Sequence, residues 1–89
     1  MAKAKPVKII DGDTFQITCG KRIRPIGYDA PEKGEKGSQK VAQQLQRLIK
    51  GKVVGLSPIK GLDRGRELRY VTVKGKPLEK LMKPYAKKK

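Results

Sequence analysis

Polar and apolar residues alternate along the first third of the chain, and this period of two residues is typical of β-strands. The β-prone run 7–10 predicts a first strand, which stops at the turn-forming segment 11–13. The alternation in 14–19 predicts a second strand with one buried face. A third strand is expected over 22–28, with Pro25 at an edge position or a bulge because proline lacks the backbone donor of a central strand.

The middle of the chain changes to the period of an amphipathic helix, which we expect over residues 38–50. Ser38 is the expected N-cap, and Gly51 supplies a left-handed stop. The apolar residues that share one face of this helix are Val41, Ala42, Leu45, Leu48 and Ile49. Further strands are expected over 52–57 and 68–74, separated by a glycine-bearing loop.

A short C-terminal helix is expected at about 77–83, since proline suits the first position of a helix. The resulting order is β-β-β-α-β-β-α. Strands joined by short turns, with one helix inserted after the third, predict an α+β, mainly β domain: a five-stranded antiparallel barrel of the oligonucleotide-binding type. We expect residues 1–89 to form a single domain, with its core at about 7–86 and basic tails at 1–6 and 87–89.

Composition narrows the possible partners and the possible chemistry. The chain has 23 Lys and Arg against 8 Asp and Glu, a formal net charge of +15, which predicts a polyanionic partner. No apolar run approaches the roughly 20 residues of a membrane-spanning helix, so the expected polyanion is nucleic acid and not a membrane. With no histidine and the single Cys19, the chain offers no zinc finger, no His-based catalytic relay and no internal disulfide.

The N-terminal residues lack the apolar core of a signal peptide, so the expected location is the cytoplasm; secretion stays open if the chain is a processed form. With no histidine in the chain, any catalysis is expected to use carboxylates, Arg, Lys or Tyr.

Acidic residues are concentrated in one part of this basic chain. Five of the eight fall within 25 residues: Asp11, Asp13, Asp29, Glu32 and Glu35. A two-residue turn at 20–21 would place Asp13 opposite Tyr28, next to Asp29, and a three-residue turn would pair Asp13 with Asp29 directly. Like charges this close repel one another unless a proton, a cation or a basic side chain lies between them.

A hard cation would relieve that repulsion, and all-oxygen ligation suits Ca²⁺ or Mg²⁺. The alternative interpretation is that the sequence 11–14 is an ordinary turn after which a strand restarts.

Three blocks of sequence resemble, in their order and spacing, the signature blocks of the staphylococcal nuclease (thermonuclease) family. They are Ile10-Asp11-Gly12-Asp13-Thr14, then Arg24-Pro25-Ile26-Gly27-Tyr28-Asp29-Ala30-Pro31-Glu32, then Asp63-Arg64-Gly65-Arg66-Glu67-Leu68-Arg69-Tyr70-Val71. The resemblance covers roughly residues 7–86. It implies a five-stranded barrel of the staphylococcal nuclease type and Ca²⁺-dependent hydrolysis of DNA and RNA phosphodiesters, leaving a 3′-phosphate. We expect the protein to act as a monomer.

The resemblance implies a metal-binding role for four residues. Asp13 and Asp29 match direct Ca²⁺ ligands, and Ala30 matches a ligand that acts through its backbone carbonyl. Asp11 matches an outer carboxylate that acts through water.

Three further residues match catalytic positions. Glu32 resembles the carboxylate proposed as general base, and Arg24 and Arg66 resemble arginines that meet the phosphate from opposite sides. A planar, permanently charged guanidinium offers forked donors to phosphate oxygens, and a nearby carboxylate can accept a proton from water. The alternatives are that Arg24 and Asp29 form a structural ion pair, and that Glu32 pairs only with surface lysines.

Weaker nucleic-acid contacts are expected from Arg64, Tyr28 and Tyr70. Arg64 is equally compatible with a solvated turn, and single tyrosines in strands are commonly core residues. The family usually has a Lys-Tyr pair where only Arg64 stands between the aspartate and the glycine of the third block, and Pro25 replaces an aliphatic residue.

These observations leave three functions in competition. The expected function is a Ca²⁺-dependent nuclease of low sequence specificity that acts on DNA and RNA, with weak activity because the chain ends soon after the second helix. The alternative is a non-catalytic nucleic-acid-binding module of the same fold. A small basic protein that coats DNA is the third, but it explains neither the acidic cluster nor the spaced arginines.

Overall fold

Short strands and two helices build the part of the chain that the computed structural model describes, residues 2–31 and 34–85. The strands are β1 (Ala2–Ala4), β2 (Pro6–Asp11), β3 (Thr14–Ile17), β4 (Arg22–Pro25), β5 (Val54–Leu56), β6 (Gly61–Asp63), β7 (Arg66–Arg69), β8 (Val71–Val73) and β9 (Lys76–Pro77). The helices are α1 (Ser38–Ile49) and α2 (Leu78–Met82), and a 3₁₀ turn, Lys83–Tyr85, follows α2.

The strands form two sheets. One has the order β2-β3-β4-β7-β6 and the other the order β1-β5-β8-β9. Neighbouring strands are antiparallel except for β4 and β7, which run parallel. The chain crosses between the sheets through α1, from β4 to β5, and through the loop from β5 to β6; it also crosses at two bends of a single residue, Lys5 between β1 and β2 and Tyr70 between β7 and β8. Strands that change sheets at a bend hold the two layers together around one core.

The core lies between the sheets and the two helices. Its apolar side chains include Phe15 from β3, Ile23 from β4 and Leu45 and Ile49 from α1, all fully buried. Burying each such side chain stabilises the fold by roughly 1.5–3 kcal/mol. Leu78 and Met82 of α2 are also fully buried, so both helices present one apolar face to the same core.

The α+β class, the amphipathic helix and the short second helix are confirmed. The expected N-cap is wrong, because α1 is preceded by Gly37 in a left-handed conformation with no side-chain cap, and Ser38 is its first residue. The expected strand 68–74 is one run in sequence, but the bend at Tyr70 divides it between the two sheets.

Three other expectations need correction. Pro25 ends β4, which lies between β3 and β7 and is not an edge strand; Pro25 itself pairs only with Arg69 of β7, and the next N–H, that of Ile26, donates to the Arg69 carbonyl at 3.0 Å. The segment 1–6, expected to be a basic tail, contributes β1, which pairs with β5. The loop before the third block contains the short strand β6. Among the described residues, no helix is both long enough and apolar enough to cross a bilayer.

Candidate functional site

The β3–β4 hairpin has a different register from either one expected from the sequence. Phe15 pairs with Ile23 and Gln16 with Arg22, so β3 ends at Ile17 and the turn takes in residues 18–21. Cys19 therefore lies exposed in this turn and not on the buried face. The ladder itself does not bring Asp13 opposite Asp29.

The loop that follows β4 brings Asp29 to the 11–13 turn instead. The Tyr28 hydroxyl donates a buried hydrogen bond of 2.9 Å to the carbonyl of Gly12. A Cβ placed on Gly12 would lie 2.8 Å from the Cβ of Ala30, so this loop packs directly against the turn. The absence of a side chain at Gly12 permits that close approach.

Arg24, near the end of β4, joins the two aspartates. Its Nη2 lies 2.5 Å from Oδ1 of Asp29 and 3.6 Å from Oδ2 of Asp13. Its Nε lies 3.9 Å from Oδ2 of Asp63, at the end of β6. The positive charge between the carboxylates offsets the repulsion that the sequence predicts for them.

Arg66 reaches the same cluster from the start of β7. Its Nη2 donates to Oδ2 of Asp63 at 2.7 Å, and its Nη1 lies 3.8 Å from Oδ1 of Asp13. Nη1 also donates to the hydroxyl of Thr14 at 2.7 Å. Asp13 is therefore within 4 Å of both guanidiniums, one from each of two distant parts of the sequence.

Asp13 has an unusual environment for a carboxylate. Burial, together with a hydrogen bond and charge repulsion from Asp11, raises its pKa from 3.8 to about 6, although Arg24 and Thr14 act in the opposite direction. The Asp13 backbone N–H donates to Oδ1 of Asp11 at 3.2 Å, which fixes the turn between them. Burial also raises the pKa of Tyr28 far above its ordinary value, so its hydroxyl keeps its proton and remains a donor.

The predicted site residues fall into distinct groups. Asp11, Asp13, Arg24, Asp29 and Arg66 come together, and Ala30 lies buried beside them. Glu32 lies outside the described residues, so its predicted role as general base stays a prediction.

The three weaker nucleic-acid contacts separate in the structure. Tyr28 is only 7% exposed and its ring lies in the core, which favours a structural role over base stacking in this conformation. Tyr70 is 45% exposed, and Arg64 is exposed at a turn where its φ is 53°.

Two residues of the cluster were not predicted from the sequence. Asp63 opens the third sequence block, three residues before Arg66, and that spacing at the tip of a hairpin was a usable signal. Thr14 gave no such signal, because a threonine that begins a strand is common and its contact with Arg66 spans 52 residues of sequence.

The carboxylates of this cluster surround arginine nitrogens. In the described part of the chain, no group of three or more His, Cys, Asp or Glu is arranged so that it could hold a metal ion. Asp11, Asp13 and Asp29 carry only oxygen donors, a chemistry that suits Ca²⁺, although their carboxylates are not grouped as a preformed metal site.

Comparison with known proteins assigns the chain to no family. No protein-family model matches the sequence. A search of curated proteins also gives no significant match.

Proposed function

We propose that this protein is a Ca²⁺-dependent nuclease that hydrolyses DNA and RNA phosphodiesters with low sequence specificity. The observation that carries the proposal is the convergence of Arg24 and Arg66 on Asp13, with Asp29 and Asp63 on either side. We further propose that the two sheets close into a five-stranded barrel of the staphylococcal nuclease type. The two bends at which the chain changes sheets support that closure.

The two arginines can stabilise the negative charge that develops during phosphodiester hydrolysis. Negative charge accumulates on the phosphate oxygens in the transition state, and donors placed in advance stabilise it. Arg24 and Arg66 carry permanent charges on forked donors, and their side chains are only 18% and 19% exposed, so solvent screens them less than surface arginines. A phosphate would replace carboxylates as the partner of these guanidiniums.

Asp13 and Asp29 are the residues that would hold Ca²⁺, with the Ala30 carbonyl as a further ligand and Asp11 acting through water. The ion would supply charge screening at the phosphate and would orient one of its oxygens. Occupied by a divalent ion, these carboxylates would no longer need Arg24 as a counterion, so the guanidinium would be available to the substrate.

Glu32 remains the proposed general base that accepts a proton from the attacking water. A positioned carboxylate in this role contributes typically about 10²–10⁴-fold to the rate. The position of Glu32 in sequence, three residues after Asp29, keeps it close to the proposed metal ligands along the chain.

A non-catalytic nucleic-acid-binding module is the second candidate. One observation favours it: the third sequence block has Arg64 alone where the resembled family has a Lys-Tyr pair. Arg64 can contact a phosphate through its charge, but the tyrosine that would help to hold the nucleotide is absent at this position. A module of this kind would bind phosphates through the same arginines and leave them uncut.

The two candidates are separated by a cutting assay on single-stranded DNA, with Ca²⁺ or with a chelator. The variants are Arg24→Gln, Arg66→Gln and Glu32→Ser. Arg69→Gln is the matched control, because Arg69 is a similarly buried arginine on β7 that pairs with Glu67, outside the cluster.

The nuclease proposal predicts Ca²⁺-dependent cutting that falls about 10²–10³-fold in the Arg24 and Arg66 variants. Glu32→Ser should lose activity as well, and Arg69→Gln should retain it. Binding without cutting at any Ca²⁺ concentration would contradict the nuclease and support the module.

A further inference from the structure

The exposed face of α1 carries no acidic residue, although the chain contains eight. Positions 36–62 hold six Lys and Arg and no Asp or Glu. The helix turns Val41, Leu45 and Ile49 into the core, so the side chains that face solvent are amides and cations. On exposed helices such cations are commonly paired with an acidic residue four positions away, but α1 has no acidic residue at those positions.

Four of these side chains line one open hollow of about 640 Å³: Gln43, Gln46, Arg47 and Lys50. Their spacing of three and four residues places them on the same side of the helix, opposite the buried stripe. In the described part of the chain, neither Arg47 nor Lys50 takes part in an ion pair. The hollow therefore combines two cations with amides that can both donate and accept hydrogen bonds.

This hollow lies away from the carboxylate cluster. A Cβ on Gly12 would be 2.5 Å from Cγ1 of Val41, so α1 passes the 11–13 turn at Val41. At 1.5 Å per residue, Arg47 lies about 9 Å farther along the helix axis than Val41, and Lys50, the C-cap, lies beyond Arg47. Both also point away from the core that separates α1 from the sheets.

Two kinds of anionic partner could meet such a face, and the structure favours one. An interfacial membrane helix inserts an apolar face into the lipid, but the apolar face of α1 is buried in the core of the protein. Nucleic acid needs no apolar insertion, since phosphates are bound by Lys and Arg and the remaining contacts come from polar side chains such as Gln.

We propose that the exposed face of α1 is a second nucleic-acid-binding site, in which Arg47 and Lys50 bind backbone phosphates of single-stranded DNA or RNA and Gln43 and Gln46 add hydrogen bonds. The site is independent of the carboxylate cluster. A strand held there is tethered to the protein whether or not it is cut.

The test is an NMR titration of the ¹⁵N-labelled protein with a short oligothymidylate in the presence of a chelator. The starting protein is the double variant Arg24→Gln/Arg66→Gln, in which the proposed active site is disabled, so the result does not depend on nuclease activity. Arg47→Gln/Lys50→Gln is then added to it. The matched control adds Lys74→Gln/Lys76→Gln at the β8–β9 turn, which removes the same charge elsewhere.

The expected result is a saturable shift of the backbone amide signals of the C-terminal half of α1, which needs much more oligonucleotide with Arg47→Gln/Lys50→Gln and is unchanged with the control. Each phosphate contact on a single strand contributes about 0.7 to the salt dependence of log K, so the two substitutions should lower that slope by about 1.4. If the circular dichroism spectrum shows that the double substitution reduces helicity, the single variant Lys50→Gln is used instead. It should lower the slope of log K against log salt concentration by about 0.7.

Three results would overturn the proposal. One is an α1 that shows no shifts at saturating oligonucleotide. Another is an equal loss of binding in the Lys74→Gln/Lys76→Gln control, which would leave net charge as the sole cause. The third is binding of phosphatidylserine vesicles, but not of oligonucleotide, that depends on Arg47 and Lys50.

Discussion

The guanidinium of Arg66 donates a hydrogen bond of 2.7 Å to the hydroxyl of Thr14, although 52 residues separate them in sequence. The same hydroxyl donates to Oδ1 of Asp13 at 3.2 Å. Thr14 is 1% exposed, so the hydroxyl at the centre of this part-buried link between an arginine and a carboxylate is itself buried. Because a buried hydroxyl with two partners fixes the orientation of both, Thr14 sets the distance between Arg66 and Asp13.

Thr14→Val should therefore loosen the cluster without changing its charge. The substitution keeps the shape of the side chain but removes its hydrogen bonds, and we expect the free energy of unfolding to fall by about 1–3 kcal/mol. For nuclease activity, the decrease in kcat should be a larger factor than the increase in KM, because Arg66 remains present but is less well placed. Thr14→Ser, which keeps the hydroxyl, should preserve most of the activity; equal losses in the two variants would contradict this role.

Arg69 has a structural role, in contrast with Arg24 and Arg66. It donates to Oε1 of Glu67 at 3.0 Å and to the carbonyl of Ser57 at 3.2 Å, next to the bend at Tyr70 where the chain changes sheets. Arg69→Gln leaves the carboxylate of Glu67, whose side chain is 14% exposed, without its closest cation. We expect a loss of about 1–3 kcal/mol in the free energy of unfolding, measured by urea denaturation, with cutting activity retained.

Lys21 provides the comparison for Arg69. It lies 4.0 Å from the same Glu67, but its side chain is 58% exposed. Exposed ion pairs contribute about 0–1 kcal/mol, so Lys21→Gln should have little effect on stability. A larger loss with Lys21→Gln than with Arg69→Gln would show that the buried contacts of Arg69 are not what stabilises the bend.

Asp13 makes stability depend on pH in a particular direction. Its pKa is about 6 in the folded protein against 3.8 as the ordinary value, so the folded state binds the proton more tightly. The stability that the protonated form contributes is present below pH 3.8 and is lost as pH rises through about 6. In the presence of a chelator, Asp13→Asn should therefore become more stable relative to wild type between pH 4 and pH 7, by about 2 kcal/mol.

This prediction is checked by urea denaturation of both proteins at the two pH values. The comparison between the proteins removes the contribution of the other carboxylates, which titrate in both. A difference between wild type and Asp13→Asn that stays constant with pH would contradict the raised pKa of Asp13.

Gly12 is required for the packing of the turn and not for its backbone angles. A Cβ there would lie 2.5 Å from Cγ1 of Val41 and 2.8 Å from Cβ of Ala30. Gly12→Ala should therefore cost about 1–3 kcal/mol of unfolding free energy by overpacking, and it should also lower activity because the turn carries Asp11 and Asp13. Gly61→Ala is the control: its Cβ would meet only the end of the Leu68 side chain, at 3.3 Å.

For Gly61→Ala we expect a change in unfolding free energy of less than about 1 kcal/mol, since the side chain that it meets can shift. Thermal denaturation of the two variants is the measurement. Equal stability of Gly12→Ala and wild type would show that the turn can move away from α1.

The sequence predicted the elements in which apolar residues repeat regularly, and it missed the short strands that form through contacts with distant parts of the chain. The stripe from Val41 to Ile49 predicted α1 because burial repeats along the helix. β1 and β6 are three residues long, and β6 exposes its one large apolar residue, Leu62, so neither strand has an alternation to detect. The bend at Tyr70 leaves no periodic signal either, since the chain stays extended on both sides of it.

Most residues of the candidate site were predictable from the sequence, apart from Thr14 and Asp63, but the geometry of the site was not. The concentration of acids indicated that Asp13 and Asp29 meet, yet the hairpin register expected to bring them together was wrong. They meet through Arg24 and through the loop that Tyr28 fastens to Gly12, which are contacts between distant residues. Counting along a hairpin cannot find contacts of that kind, because they depend on how loops pack in three dimensions.

The account depends on Asp13 and Asp29 holding Ca²⁺, and the carboxyl ¹³C signals of these two residues test this most directly. They would be followed during a Ca²⁺ titration in the presence of a nucleoside 3′,5′-bisphosphate, with Glu67, which pairs with Arg69 outside the cluster, as an internal reference. The account predicts saturable shifts of both aspartates, weaker in Arg24→Gln/Arg66→Gln because the nucleotide is no longer held, and no shift of Glu67. Signals of Asp13 and Asp29 that stay unchanged at saturating Ca²⁺ would contradict it.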